Sequence, residues 1–377
     1  MRNRIVYIMN VDWDWAKQRP HFLAAHLSTS NDILVIYPFA WKRRYLSTND
    51  RNGVKLYPFF LFPLGRRFAI IRRLNIFVLR MIARIFFRWY RPDFVWISSP
   101  ELFDYLPKHL STKLIYDCMD DILAFPRNEH CKGSLSASER ELVNSSFLVF
   151  CSSNNLRDKL IARAGHPEKY SVVHNAFEPT AFSSASEQSD SENRVGAYVL
   201  GYVGTISSWL DFEVLIKIVD EFALLEIHLM GPIENLVAPF PKHERIKYLG
   251  TVRHEDIQTR VSGFDALLMP FQVTDLVQSV DPVKLYEYIY FNKPIVSVKY
   301  AEIERFTAFV DFYTEAEGLI SILDRFLTEG FRKKYSDSER LKFISSNTWS
   351  NRAHQIQEIL SLSFSLKEEQ GENGAGS

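Results

Sequence analysis

Two charged side chains near residue 285 have a spacing suited to an anionic ligand that carries hydroxyl groups. Lys284 and Glu287 lie three residues apart in the segment DPVKLYEYIYFNKPIVS. Because residues i and i+3 project from the same side of a helix, both groups would face one ligand. The carboxylate can accept hydrogen bonds from two ribose hydroxyls, and the ammonium, helped by the positive helix N-terminus, can neutralise a diphosphate. The alternative interpretation is a surface ion pair of little energetic weight.

A helix at the open end of a strand is predicted to carry this pair. Asp281 is a favourable N-cap, Pro282 suits the first helical turn, and Asn292 tolerates the left-handed conformation where the helix must end. The apolar run at residues 267–270 precedes the helix and predicts a buried strand. Since ligands of open parallel sheets bind beyond the carboxyl ends of the strands, the predicted position favours a binding site.

Short β-rich runs alternate with helix-length segments along both halves of the chain. They lie at Ile5–Met9, Ile33–Tyr37, Phe94–Ile97, Lys113–Tyr116, Phe147–Phe150 and Ser171–Val173, and then at Tyr198–Val203, Glu226–Met230, Ile246–Leu249, Ala266–Met269 and Ile295–Val298. Such alternation indicates parallel sheets with crossover helices. The predicted fold class is therefore α/β, with two doubly wound Rossmann-like domains facing across a cleft and helices at the C-terminus.

The domain boundaries are predicted from shifts in composition. The polar segment SSASEQSDSENR separates the two series of strands and indicates a linker or an exposed loop. We place the first α/β domain at 1–182, the linker at 183–195, the second α/β domain at 196–346, a C-terminal helix at 347–366 and a disordered tail at 367–377.

The composition and the missing motifs exclude several classes of protein. The 377 residues carry 45 Lys and Arg against 45 Asp and Glu, a balance that argues against a nucleic-acid partner. Three cysteines without CxxC spacing indicate neither a disulfide framework nor a zinc site. The sequence lacks a dinucleotide-binding glycine loop after its first strand, a P-loop and a G-x-S-x-G motif. With no secretory signal and no apolar segment long enough to span a bilayer, the chain is expected to be cytoplasmic.

One segment is strongly basic in this otherwise neutral chain. Between Asp50 and Asp93 there are ten basic residues and no acidic one. On a helix from Gly65 to Tyr90, four arginines cluster on one side at 100° per residue, and six apolar residues occupy much of the rest. The arginines are Arg73, Arg80, Arg84 and Arg88, and the apolar residues are Ile70, Leu74, Phe77, Met81, Ile85 and Trp89. Such a helix is expected to contact an anionic membrane surface. The alternative is an ordinary domain helix whose arginines are solvated or bind phosphates.

Several ordered segments resemble one known family over nearly the whole chain. DPVKLYEYIYFNKPIVS is similar to the donor-binding signature of the GT-B glycosyltransferases, especially family 4 and its relatives in bacterial polysaccharide synthesis. The other matching segments are QRPHFLAAHL, LIYDCMDDI, VVHNAF, GYVGTISSWLDFEVL, IHLMGP, IKYLGTVRHEDI and NTWSNRAHQI, in that order. The resemblance implies a nucleotide-sugar donor in the C-terminal domain, an acceptor in the N-terminal domain and no metal or other cofactor.

The resemblance also implies which residues bind the donor. The donor-binding residues would be Gly204, Thr205, Arg253, Pro282, Lys284 and Glu287. Two features depart from the family pattern. Ser279 stands where many members have the first glutamate of an E-x7-E pair, and no basic residue follows Gly204 in the segment TISSWLDF. Lys284 is then the expected diphosphate ligand, assisted by the backbone N–H groups of Gly204 and Thr205.

The altered pattern is also similar to that of the xanthan-type glucuronosyltransferase, a GT-B enzyme of the membrane face. That similarity implies that Asp120 is the general base that deprotonates the acceptor hydroxyl. We expect Asp117, Asp120 and Asp121 to raise one another's pKa, whereas the alternative is that all three cap a helix or form a turn. Asp12, Trp13, Asp14 and Trp15 follow the first strand and are expected to bind the acceptor sugar, or else to form a packing loop.

The function expected from the sequence is transfer of a hexose from a nucleoside diphosphate sugar to a lipid-linked or polysaccharide acceptor in cell-surface glycan synthesis. UDP is the expected nucleotide, and the expected location is the inner face of the cytoplasmic membrane. Family 4 membership implies retention of the anomeric configuration, whereas a catalytic Asp120 implies inversion. A nucleotide-sugar epimerase of the same architecture and a non-catalytic scaffold of a polysaccharide-synthesis complex are the alternatives.

Overall fold

The chain divides into two units, and each is built on one parallel sheet. In this computed structural model the first unit comprises Met1–Asn175 and Trp349–Ser377, and the second comprises Ala176–Thr348. The structure describes residues 2–14, 17–39, 53–62, 68–107, 112–179, 196–234, 236, 239–253 and 256–374, without the side chains of residues 69 and 364–374. The predicted linker at 183–195 lies outside the described residues.

The described strands and helices follow one another in alternation. The strands are β1 (Arg4–Ile8), β2 (Asp32–Pro38), β3 (Lys55–Phe59), β4 (Phe94–Ile97), β5 (Lys113–Cys118), β6 (Leu148–Cys151), β7 (Tyr170–Val172), β8 (Tyr198–Val203), β9 (Leu225–Met230), β10 (Ile246–Tyr248), β11 (Ala266–Met269), β12 (Ile295–Val298) and β13 (Asp311–Tyr313). The α-helices are α1 (Arg19–Leu27), α2 (Ala69–Tyr90), α3 (Lys132–Ser145), α4 (Asn154–Ala164), α5 (Phe212–Glu221), α6 (Ile257–Ser262), α7 (Val283–Tyr290), α8 (Ala316–Glu329), α9 (Asp337–Ser346) and α10 (Trp349–Gly374).

Both sheets have the doubly wound strand order that the sequence predicted. Within the described residues, the first sheet runs β3-β2-β1-β4-β5-β6-β7 and the second runs β10-β9-β8-β11-β12-β13, with every pair parallel. Central strands such as FVWI in β4 and ALLM in β11 are buried along their whole length. Helices cover both faces of such sheets, so every side chain of a central strand is buried, and the sequence of the strand is apolar throughout.

Two edge strands were not predicted. Strand β3 contains Pro58, which pairs with Tyr37, and it exposes most of its residues. Strand β13 has only three residues and pairs with β12. Edge strands tolerate proline and polar residues because one side of the strand forms no ladder, so their sequences carry a weak β signal.

The C-terminal segment belongs to the first unit. The first unit ends at Asn175, earlier than the predicted residue 182, and the chain returns to it at Trp349. Phe22 of α1 stacks on Trp349 at 5.3 Å between ring centroids, and Arg352 Nε donates to the carbonyl oxygens of His174 and Asn175 at 3.1 and 3.2 Å. Helix α10 continues to Gly374, so the predicted disordered tail is helical over most of its length. Lys367, Glu368, Glu369 and Gln370 are good helix formers, which explains the difference.

None of the helices in the described part of the chain combines the length and the apolar character of a membrane-spanning segment.

Candidate functional site

Helix α7 begins at the carboxyl edge of the second sheet, and buried polar contacts fix its first turn. Its N-cap is Pro282, without a side-chain cap, so the prediction of Asp281 as N-cap is wrong. The buried Asp281 carboxylate instead pairs with the Arg305 guanidinium and accepts a hydrogen bond from Tyr286 OH at 3.2 Å. The charge pair joins the start of α7 to Arg305 in another part of the unit, which holds the helix more firmly than a local cap would.

The Tyr288 hydroxyl attaches the same helix to the ends of two strands. It accepts a hydrogen bond from the backbone N–H of Val203 at 3.0 Å, and it lies 3.4 Å from Val203 O and 3.5 Å from Leu268 O. Val203 ends β8, and Leu268 lies in β11. This contact sets the distance between α7 and the sheet. Tyr288 lies one helical turn after Lys284, so the contact also positions that lysine. From the sequence, Tyr288 would be assigned only to the apolar core.

Lys284 lies directly against the backbone at the end of β8. A Cβ atom at Gly204 would lie 1.8 Å from Lys284 Cε and 2.6 Å from Nζ, so only glycine leaves room for this side chain. Gly204 has φ +148°, a conformation that residues with a side chain rarely adopt. The structure therefore brings together Lys284 and Gly204, as the sequence predicted.

A second glycine extends this close approach to the neighbouring strand. A Cβ atom at Gly231, which follows β9, would lie 2.1 Å from the carbonyl oxygen of Gly204. The backbone N–H of Gly231 donates to Gly250 O at 2.9 Å, so the chain after β10 joins the same layer. Three glycines thus line the edge of β8, β9 and β10, where the backbone is accessible to a bound phosphate. Gly231 and Gly250 were not predicted as site residues, although each directly follows a predicted strand.

The Lys284 ammonium is a half-buried cation suited to an anionic ligand. In the part of the chain that the structure describes, it has no hydrogen-bond or ion-pair partner. Burial lowers the pKa of Lys284 from its ordinary value, and the Glu287 carboxylate partly opposes that shift. Because a cation that is removed from water without a hydrogen bond or ion pair is costly, a bound phosphate would relieve the cost.

The other predicted donor residues differ in their surroundings. Thr205 follows Gly204, and its carbonyl oxygen accepts a hydrogen bond from Tyr202 OH at 2.8 Å. Arg253 is exposed and pairs with Asp256 at 3.0 Å, three residues along the chain. A surface pair of this kind is weak, so it leaves the Arg253 guanidinium able to exchange partners. The donor roles of Thr205, Arg253, Pro282 and Glu287 remain predictions.

The carboxyl edge of the first sheet carries acids, and two of the three at the end of β5, Asp117 and Asp121, are paired. Arg19 contacts both oxygens of the buried Asp117 carboxylate at 2.8 to 3.1 Å. Arg163 donates to both oxygens of Asp121 at 2.9 Å, and Lys159 adds a contact at 3.2 Å. These contacts tie α1 and α4 to the end of β5. Asp117 and Asp121 are therefore structural.

Asp120 differs from both neighbours. Within the described residues its carboxylate forms no hydrogen bond or ion pair. Burial is the main cause that raises the pKa of Asp120; Arg127 and Arg19 lower it, and Asp121 raises it further. The prediction of a raised pKa is thus confirmed for Asp120, with burial as a larger cause than the neighbouring carboxylates. The same prediction is wrong for Asp121. Burial raises the pKa of Asp121, but its contacts with Arg163 and Lys159 lower the pKa by more, so that it lies below its ordinary value.

The loop after β1 packs against the protein, whereas the sequence favoured contact with an acceptor sugar. Trp13 is only 4% exposed and lies against the His21 ring at 5.2 Å between centroids. His21 Nδ1 accepts from the backbone N–H of Gln18, so Nε2 carries the proton and donates to Asp12 O at 3.1 Å. Trp13 thus supports the packing interpretation rather than an exposed stacking platform.

Asp14 keeps more exposure than its neighbours in this loop. Its backbone N–H donates to the Asp12 carboxylate at 3.0 Å, and burial and Asp12 raise the pKa of Asp14. Trp15 lies outside the described residues. Contact of Asp12 and Asp14 with an acceptor remains a prediction.

Helix α2 is apolar on two sides, and one of these sides is exposed. Leu79, Ala83, Asn75 and Tyr90 face the core, and the opposite side presents the six apolar residues of the predicted basic helix. Phe77 is 63% exposed and Trp89 is 71% exposed, for example. Asn75 also holds Phe62 through paired backbone contacts at 2.9 and 3.1 Å, and Phe60, Phe62 and Phe68 are exposed near the start of the helix.

The arginines of α2 form a row beside this apolar face. Arg73, Arg84 and Arg88 are exposed, and Arg80 is half-buried with its Nε donating to Asp104 O at 2.8 Å. The helix begins at Ala69; the predicted start at Gly65 lies outside the described residues.

Comparison with known sequences finds a glycosyltransferase. No family model matches the chain. The chain is 28% identical over 229 residues to TuaH of Bacillus subtilis strain 168, whose name assigns it as a glycosyltransferase of teichuronic acid biosynthesis. The match covers 55% of this chain and 54% of TuaH, so it spans about half the length of that relative.

Comparison with solved structures finds the same architecture over almost the whole chain. HepE of Anabaena, solved with UDP and glucose, aligns with a TM-score of 0.68 at 16% identity and covers 96% of this chain and 100% of HepE. Sucrose-phosphate synthase of Thermosynechococcus elongatus aligns with a TM-score of 0.74 at 10% identity, with the same coverage. The two-sheet fold of this chain is therefore that of the GT-B glycosyltransferases, as the resemblance in sequence predicted.

Proposed function

We propose that the chain is a glycosyltransferase that moves a hexose from a UDP-sugar to a lipid-linked or polysaccharide acceptor in cell-surface glycan synthesis. The observation that carries this proposal is the Lys284 ammonium, which lies against Gly204 at the carboxyl edge of the second sheet and forms no hydrogen bond or ion pair among the described residues. The similarity to HepE, solved with UDP and glucose, and to TuaH supports the choice of donor and of pathway class.

The donor would be held by charge and by backbone. Lys284 would neutralise the diphosphate, the N–H groups at Gly204 and Thr205 would donate to its oxygens, and Glu287 would accept hydrogen bonds from the ribose hydroxyls. Pro282 would set the start of α7, and Arg253 would leave Asp256 to contact the nucleotide. We propose that no metal ion is needed, because Lys284 supplies the positive charge. Turnover that persists in EDTA supports this point, and turnover restored only by Mg²⁺ or Mn²⁺ contradicts it.

Asp120 would act as the general base. It would take the proton from the acceptor hydroxyl as that oxygen bonds to the anomeric carbon, while the bond from the anomeric carbon to the diphosphate oxygen breaks and UDP leaves. Its raised pKa improves its strength as a base. Direct attack of this kind inverts the anomeric configuration. NMR of the product distinguishes this outcome from retention, which the family 4 resemblance implies.

The experiment for this function measures products from UDP-sugars supplied with a lipid extract that contains candidate acceptors. We expect UDP release together with sugar transfer by the wild type, and loss of both in Glu287→Ala. An altered sugar nucleotide formed without acceptor would identify an epimerase instead. Absence of turnover together with absence of nucleotide binding would favour the scaffold. Either result would overturn the proposal.

We also propose that α2 brings the chain to the inner face of the cytoplasmic membrane. Six exposed apolar side chains on one side of a helix, flanked by arginines, match the hydrocarbon boundary and the anionic head groups of a bilayer. Ile85→Asp should weaken binding to anionic vesicles. Leu341→Asp, at a residue of α9 with comparable exposure (57%), should leave it unchanged. Equal binding by both variants and the wild type would contradict this location.

A further inference from the structure

A basic groove runs along the arginine side of α2. It has a volume of ≈ 550 Å³, and its charged lining consists of Arg72, Arg73, Arg80, Arg84 and Asp104. Four guanidinium groups thus face one carboxylate. Such an excess of positive charge inside one groove indicates an anionic ligand with more than one negative charge.

The arginines of the groove retain their hydrogen-bonding capacity. Among the described residues, the guanidinium groups of Arg72, Arg73 and Arg84 form no ion pair or hydrogen bond. Within the same part of the chain, the Arg80 guanidinium uses only Nε, which donates to Asp104 O at 2.8 Å, so its two terminal amino groups remain available. This backbone contact fixes the Arg80 side chain in place. A guanidinium held in position binds phosphate oxygens at a lower entropic cost than a mobile one.

The arginines of the groove lie in one row along the helix. At 100° per residue, Arg73, Arg80 and Arg84 lie within about 40° of one another on the helix. Their Cα atoms span about 16 Å along the axis at a rise of about 1.5 Å per residue. This length matches an extended head group better than a single phosphate.

An apolar surface adjoins the row. Phe77 and Met81 line the groove and also belong to the exposed apolar face of α2, which continues through Ile85 to Trp89. A ligand that bridges both surfaces must have an anionic head joined to an apolar chain. A phospholipid with one phosphodiester supplies only one charge, whereas a diphosphate supplies two charges and more acceptor oxygens.

We infer that this groove binds the diphosphate of a lipid-linked acceptor, with the lipid chain directed along the apolar face of α2. The inference rests on the proposed function, since it names the acceptor class as a lipid diphosphate saccharide. The acceptor is then selected by its diphosphate as well as by its sugar. Asp104 opposes the ligand charge and limits the affinity, so that product can leave.

The experiment compares binding of the full chain to two kinds of phosphatidylcholine vesicle. One contains a polyprenyl diphosphate, and the other contains phosphatidylglycerol at the same total charge. We expect wild-type binding to the diphosphate vesicles to be at least about tenfold tighter, since diphosphate pairs with several fixed guanidinium groups. Equal binding to the two vesicles would overturn the inference and leave only non-specific attraction to the membrane.

Variants on the same helix provide matched controls. Arg84→Ala should abolish the preference for diphosphate, whereas Arg88→Ala removes the same charge outside the groove and should weaken binding to both vesicles equally. Asp104→Asn should strengthen the preference, which a purely structural role would not do. Equal loss of preference in Arg84→Ala and Arg88→Ala, or no gain in Asp104→Asn, would contradict a built site.

UDP binding, measured on the same preparations, separates the two proposals. Loss of the diphosphate preference with intact UDP binding overturns only the acceptor inference. An intact preference in a chain that binds no UDP overturns the proposed donor site and leaves the groove as a lipid diphosphate site.

Discussion

The carboxyl edges of the two sheets have the same strand topology and opposite chemistry. The edge of the second sheet carries glycines after β8, β9 and β10 and the half-buried Lys284, so it combines open backbone with positive charge. The edge of the first sheet carries Asp117 at the end of β5 and Asp120 and Asp121 just after it, and arginines from α1 and α4 pair with Asp117 and Asp121. The second edge suits an anion, and at the first edge Asp120 retains, within the described residues, an unpaired carboxylate that suits a hydroxyl.

This difference shows how one architecture serves two tasks. The strand order places loops at the same edge in both sheets, and the side chains in those loops decide the ligand. At the end of β5, Asp117 and Asp121 are paired, whereas the Asp120 carboxylate is unpaired among the described residues. At the second edge, the absence of a Cβ at Gly204 creates the space that Lys284 occupies.

The largest effect is expected at Asp120. Asp120→Asn removes the proposed base without changing the size of the side chain, so the turnover number should fall by roughly a thousandfold while UDP affinity stays the same. Steady-state kinetics and calorimetric titration with UDP measure the two quantities. Turnover within a factor of a few of the wild type would show that another group accepts the proton.

The next effect is expected at Gly204. Gly204→Ala should displace Lys284 and weaken UDP binding by roughly 100-fold, because the new Cβ would overlap Lys284 Cε. Gly250→Ala is the matched control, since Gly250 also has positive φ, at +80°, but has open space where a Cβ would lie. An equal loss of UDP affinity in both variants would attribute the effect to backbone strain rather than to Lys284.

A smaller effect, on stability, separates Asp121 from Asp120. Asp121→Asn leaves Arg163 and Lys159 without their shared carboxylate, and it should lower the free energy of unfolding by about 2 kcal/mol. Asp120→Asn should not destabilise the protein. Denaturant unfolding of the two variants measures the difference. Equal destabilisation would contradict the division into paired and unpaired acids.

The smallest effect concerns how Asp120 responds to pH. Because burial raises its pKa in the folded state above the ordinary 3.8, the wild type loses stability as pH rises from that value through the raised pKa. Asp120→Asn should therefore be slightly more stable than the wild type at neutral pH and equal to it below pH 3.8. Thermal unfolding across this range measures the difference, and a variant less stable at neutral pH would contradict the sign.

The sequence predicted the parts of the fold that local pattern determines. Continuous apolar runs such as FVWI and IVSV became buried central strands, and Asn292 adopts the left-handed conformation, with φ +59°, that ends α7. The pairing of Lys284 with Gly204 also followed the predicted order of strand, loop and helix. The strands and the end of α7 depend on residues that are close in sequence, and the contact between Lys284 and Gly204 depends on the predicted order of the strands.

Other features depend on distant residues, and the sequence does not reveal them. Asp117 is paired with Arg19, 98 residues away, and Asp121 is paired with Arg163, 42 residues away, so the three aspartates look equivalent until the fold is known. Helix α2 is apolar on two sides, and periodicity alone does not decide which side faces the sheet. Trp13 is buried because His21 packs against it after the chain turns into α1.

In the proposed donor site, the second unit binds the diphosphate through Lys284. Calorimetric titration of UDP into the wild type and Lys284→Ala tests it most directly, with Lys217→Ala as control because Lys217 pairs with Glu317 on the surface of the same unit. We predict that Lys284→Ala weakens UDP binding by at least about tenfold and that Lys217→Ala leaves it unchanged. Equal affinity for UDP in all three proteins would contradict binding of the diphosphate by Lys284.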